Sequence, residues 1–160
     1  MICLVAIIVQ DYTHFAISWG WLPIIAGIGI YMGLQVLSPR LLLADYLFSI
    51  FFIGMQFFVM TLWYSLKSKK WVNVSKEMIG WGDILFFLVI VFSFSFSHYL
   101  LFFVFSLLLV ALVYGIKQKI NPQTEKRIPL AGALAGLFLV VKAGYYLGWI
   151  PNIYSNYLLW

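Results

Sequence analysis

"ILFFLVIVFSFSFSHYLLFFVFSLLLVALVYGI", residues 84–116, holds no Asp, Glu, Lys or Arg, and its reading decides how this chain folds. As one helix, at about 1.5 Å per residue, it would measure ~50 Å. A crossing of the bilayer core takes ~30 Å, or ~20 residues. The stretch is therefore too long for one span and slightly short for two. The alternating Phe and Ser of "SFSFS" has the period of a strand. An open strand in lipid would leave its backbone groups unsatisfied, which excludes that reading. The stretch is read as two short helices with a tight turn within Ser93–Tyr99.

The same rule divides the rest of the chain. Of its 160 residues 64% are hydrophobic and 9% charged, and no soluble domain of that length buries so much apolar surface in one core. The expected fold class is a single all-α domain over residues 1–160, a polytopic membrane protein. Apolar blocks run from Met1 to about Gln10, Ile17 to Leu37, Leu41 to Leu66 (entered through Ser38-Pro39-Arg40) and Ile128 to about Ile150. With the two helices of residues 84–116 these make six spans. The tail "PNIYSNYLLW" reads as interfacial, with Tyr154, Tyr157 and Trp160 as anchors.

Two polar segments separate the blocks, "KSKKWVNVSKE" (67–77) and "KQKINPQTEKR" (117–127). Basic residues concentrate on the cytoplasmic side of membrane proteins. Lys67, Lys69, Lys70, Lys76, Lys117, Lys119, Lys126 and Arg127 lie in these segments, and Arg40 alone lies in a loop on the other side. Both segments are therefore expected in the cytoplasm and both termini outside. The net charge of +5 is then a topology signal, not a nucleic-acid surface. The lone Cys3 excludes an internal disulfide and a cysteine-built zinc site, and no metal or cofactor is expected. The N-terminus has no basic n-region and no A-x-A site, so no removable signal peptide is read.

This topology gives the acidic residues their meaning. Glu77 and Glu125 lie among lysines and read as solvated loop charges. Asp45 lies one turn inside the third span on the outer side, in reach of Arg40 or facing an internal cavity. Lys142, in the last span, reads as snorkelling to the outer interface, with a pairing to Asp45 as the alternative. Asp83 opens the fourth span after Gly80-Trp81-Gly82 and by itself reads as a helix N-cap. Asp11 ends the first span, at the same cytoplasmic depth. Carboxylates at the edge of hydrocarbon are functional-site candidates. Two within a few Å cannot both ionise cheaply and share one proton. The ionised member then takes a proton from water while the protonated one donates to a peptide carbonyl. Gly80 and Gly82 leave backbone room for an extended peptide beside Asp83. His14, three residues after Asp11, reads as a loop histidine, and His98 falls in the outer turn. Gly29-x-x-x-Gly33, Gly132-x-x-x-Gly136 and Gly144-x-x-x-Gly148 read as seams for close helix packing.

Gly80-Trp81-Gly82-Asp83 matches the G-x-G-D motif of intramembrane aspartic proteases, and the chain resembles the type IV prepilin peptidases and archaeal preflagellin peptidases. "IIVQDYTHFAIS" matches their first aspartate region, with Asp11 followed by Ile17 at the expected offset, and "KRIPLAGALAG" matches their Ile-Pro-hydrophobic-small segment through Pro129. Ser18 stands where the family usually has proline, and Leu85 where it usually has lysine. The resemblance implies catalysis by Asp11 and Asp83, shaped by Gly80, Gly82 and Pro129. It implies removal of a short basic leader from prepilin-like or pseudopilin-like precursors at the cytoplasmic face of the inner membrane, as in type IV pilus assembly and protein secretion. The methyltransferase domain of many bacterial members and its paired cysteines are absent from this sequence. The partners expected are such a protein substrate and membrane lipid. The other class is a non-enzymatic membrane protein, a small transporter or an inactive scaffold. Transporters tend to place carboxylates near the bilayer midplane, whereas these lie at one edge.

Overall fold

The computed structural model describes residues 1–14, 18–68, 80–120, 130–150 and 153–154. The described residues form six α-helices and no strand: α1 (Ile2–His14), α2 (Trp21–Val36), α3 (Pro39–Ser68), α4 (Trp81–Val91), α5 (Phe96–Ile120) and α6 (Leu130–Tyr146). Two of them, α3 and α5, are long and apolar enough to cross a membrane. The other four are apolar but shorter, at 13, 16, 11 and 17 residues.

Residues 84–116 do split into two helices, but unequally. Where two short helices are expected, α4 has 11 residues and α5 has 25. The turn is made by residues 92–95, at the front of the expected segment. Local bonds close it, the Ser93 N–H donating to the Ile90 carbonyl and the Phe94 N–H to that of Val91, and one long-range bond adds to them. The Ser95 N–H donates to the carbonyl of Ile153 at 3.0 Å, and the Ser95 hydroxyl meets His98 Nδ1 at 2.9 Å. Ser93, Ser95 and Ser97 are all buried, so the Phe/Ser alternation marks a packed corner rather than a strand.

The short α4 lies at the centre of the bundle and touches α2, α3, α5 and α6. Phe86, Phe87, Ile90 and Val91 are its buried residues and join the main hydrophobic core. A helix enclosed by four others is apolar all round. Around it, α1 packs along α6, and α2 lies against α4. Outward-facing residues of α3 and α5, such as Phe51, Phe58, Phe105, Leu108 and Leu112, are exposed.

The three glycine pairs do different things. A Cβ on Gly29 would lie 2.6 Å from the Phe92 carbonyl oxygen, so this glycine lets α2 meet the backbone of the α4–α5 turn. A Cβ on Gly33 would lie 2.7 Å from Leu42. Gly132 and Gly136 face α1. The third pair is not an interhelical seam. Gly148 has φ +75° and stops α6: its N–H donates to the Tyr145 carbonyl, and the Trp149 N–H donates to the Gly144 carbonyl. That is the Schellman pattern, with glycine at the left-handed position. Two further expectations are corrected. Tyr154 is a buried core residue, not an interfacial anchor. Lys142 does not snorkel outward but is 9% exposed. Tyr157 and Trp160 lie outside the described residues.

Candidate active site

The two aspartates expected to pair are brought to one place, the first turn of α6. Asp11 lies one turn from the C-terminal end of α1 and is 6% exposed. Its Oδ2 accepts from the Gly132 N–H. Asp83 lies in the first turn of α4, and its Oδ1 accepts from the Ala131 N–H at 2.9 Å. Consecutive Cα atoms are about 3.8 Å apart, so carboxylate oxygens bonded to consecutive amides lie within about 10 Å of each other.

The chemistry of a helix start explains why this is stable. The first N–H groups of a helix have no partner inside it, and the terminus carries about half a positive charge. Two carboxylates meeting there each satisfy one orphan donor, and the dipole offsets part of their mutual repulsion. Glycine at 132 is what lets them approach. A Cβ there would lie 3.0 Å from Asp11 Oδ2 and 3.1 Å from both Asp11 Cβ and Tyr12 Cδ2.

Asp83 is not the N-cap of α4. Gly80 holds that position with extended backbone, and its carbonyl accepts from the Asp83 and Ile84 N–H groups. The Gly80 N–H in turn donates to the Asp83 carboxylate, the return half of a capping box. The room beside Asp83 is partly taken up by Asp83 itself, since a Cβ on Gly80 would lie 3.3 Å from its Oδ2. Gly82 is half-buried in the first turn of α4. Pro129 and Ile17 lie outside the described residues. Leu85 is half-buried and packs on the core. The Ser18 N–H donates to Gln10 Oε1 at 3.1 Å, a bond that proline lacks the hydrogen to make. His14 is exposed at the end of α1.

No family model, curated protein or solved structure matches this chain.

An apolar groove of about 290 Å³ opens between α1, α5 and α6 beside the pair. Ile8, Val110, Val113, Leu137 and Val140 wall it, and Tyr12, Tyr114 and Gly132 stand at the carboxylate end. Tyr12 and Tyr114 meet through their side chains, joining α1 to α5. The C-terminal part of α5, with Lys117 over the Tyr114 ring at 5.7 Å, therefore shares the end of the bundle that holds Asp11. Sequence reasoning did not single out the Ala131 and Gly132 amides, Tyr12 or Tyr114 as parts of the site. For Gly132 a signal existed in the small residues of "RIPLAGALAG". The amides carry no signal, because every residue but proline has one.

Proposed function

We propose that this chain is an intramembrane aspartic endopeptidase that removes the short basic leader of prepilin-like or pseudopilin-like precursors. The observation that carries the reading is the convergence of Asp11 and Asp83 on consecutive amides of α6. In this reading the two carboxylates close on the substrate and keep one proton between them. The ionised carboxylate removes a proton from a water as it attacks the scissile carbonyl carbon. The protonated one donates to the carbonyl oxygen, and the tetrahedral adduct then breaks its C–N bond as the leaving amine gains a proton. The groove beside the pair would seat the apolar helix that follows the leader.

The reading includes the topology: six helices within the inner membrane, both termini outside and the pair at the cytoplasmic edge. Support comes from the exposed apolar faces of α3 and α5, too extensive for a soluble surface, and from Lys117 and Lys119 at the carboxylate end of α5.

One observation favours the non-enzymatic alternative: both carboxylates also act as caps on helix starts. Asparagine separates the two, because it caps about as well as aspartate but cannot exchange the proton. With the purified protein in liposomes and a tagged prepilin, leader removal followed by mass should fall at least about 10²-fold in Asp11→Asn and in Asp83→Asn. Cleavage that persists in either variant would sink the protease reading, as would a wild type that never cuts.

A further inference from the structure

Ten positions after Gly132, or about 15 Å along α6, Lys142 is held inside the bundle. Its Nζ donates to the Tyr154 hydroxyl at 3.2 Å and lies 5.5 Å from the Phe138 ring centroid and 5.1 Å from that of Tyr154. An ammonium has three N–H donors, and among the described residues one hydroxyl and two ring faces receive them. Removing such an ion from water costs several kcal/mol. Neutral partners supply hydrogen bonding and cation–π attraction, but no opposite charge.

Lys142 also lines a small pocket between α1, α2 and α6, of about 70 Å³. Leu4, Ile25, Ile28 and Met32 form apolar walls, and Ser93 reaches it from the α4–α5 turn. A buried cation and a serine lining one pocket with aliphatic walls are complementary to a compact anionic head on an aliphatic chain. We infer that this pocket binds the carboxylate head of a single-chain fatty acid, with Lys142 and Ser93 at the head and the acyl chain leaving the pocket over the exposed Ile28 and the half-buried Met32. The site is separate from the aspartate pair and does not depend on the peptidase reading.

Native mass spectrometry of the purified full chain in detergent tests it, with oleate, oleyl alcohol and oleyl phosphate titrated in turn. Oleate should bind at least about tenfold tighter than oleyl alcohol, which has the same chain and a neutral head, since a charge-assisted hydrogen bond contributes that much. Lys142→Met should abolish the preference and Lys142→Arg should keep it. Should the methionine variant not fold, an oleate analogue with a diazirine in its chain should label the wild-type peptide carrying Ile25, Ile28 and Met32, and excess oleate should suppress the labelling. Equal binding of oleate and oleyl alcohol, an unchanged preference in a folded Lys142→Met protein, retention of oleyl phosphate in place of oleate, or labelling elsewhere would each overturn the inference.

Discussion

At Gly132 a missing side chain and a backbone amide do two jobs at once. The missing Cβ lets α1 come close enough for Asp11 to reach the amide, and the amide fixes the carboxylate. Gly132→Ala should therefore cost about 1–3 kcal/mol through overpacking and displace Asp11 from its partner, so that cleavage falls more than stability does. Gly136→Ala is the control one turn away. Its Cβ would meet nothing nearer than Ile8 at 4.0 Å, and it should leave melting within about 0.5 kcal/mol of wild type. Melting in detergent and leader cleavage, measured on both variants, check the pair of expectations. Equal loss of cleavage in the two would contradict the role given to Gly132. A proton shared by two carboxylates also sets a pH profile. If the pair carries the proposed reaction it works when it holds one proton, so the cleavage rate should fall on both the acid and the alkaline side of an optimum. A profile that stays flat where the protein remains folded would show that no such pair carries the reaction.

The helices differ in how plainly their residues announce them. Length and apolar content make α3 legible, because a long apolar run has few other uses, whereas α5, expected as a short helix, reaches 25 residues. The place of the turn in residues 84–116 is legible, since residues 93–95 fall in the expected Ser93–Tyr99 segment, but the bond from the Ser95 N–H to Ile153, 58 positions further along the chain, is not. The burial of Lys142 is hidden because Tyr154, beyond the end of α6, comes to it through packing, while Phe138 is its neighbour one turn back on the same helix. The pairing of Asp11 with Asp83 was legible, because alternating helix directions put both at one end of the bundle. Which atoms hold them was not, because amide donors have no residue code. The glycines give this scale its test. Gly29→Ala would drive a Cβ to 2.6 Å from the Phe92 carbonyl, where backbone must move, and should cost about 1–3 kcal/mol or more. Gly27, on the same helix, has open space around it, and Gly27→Ala should be neutral or gain about 0.5–1 kcal/mol. Gly148→Ala meets no neighbour, yet must adopt φ +75°, and should lose about 1–2 kcal/mol. Thermal unfolding of the three variants in detergent separates crowding from backbone strain. A Gly29→Ala protein as stable as Gly27→Ala would refute the close contact of α2 with the turn.

For the molecule as a whole, the position of the pair along the bundle and the distribution of charge make one joint statement. Asp11, Asp83, the start of α6 and the lysine-bearing end of α5 lie together, while Arg40 is exposed at the start of α3, on the opposite side by chain direction. If basic residues face the cytoplasm, the carboxylates do too, and a basic leader would reach them from that side. The sequence carries one cysteine, at position 3, so a Cys3→Ser background allows single-site labelling. In that background Lys119→Cys should react with a membrane-impermeant maleimide in inside-out vesicles and stay unlabelled in intact cells, and Arg40→Cys should show the reverse. Labelling of Lys119→Cys from outside would invert the bundle and put the pair on the wrong face for a cytoplasmic leader. Labelling of both positions from one side would break the alternation of helix direction on which the pairing of Asp11 with Asp83 was reasoned, while leaving their shared contact with α6 to be explained as helix capping.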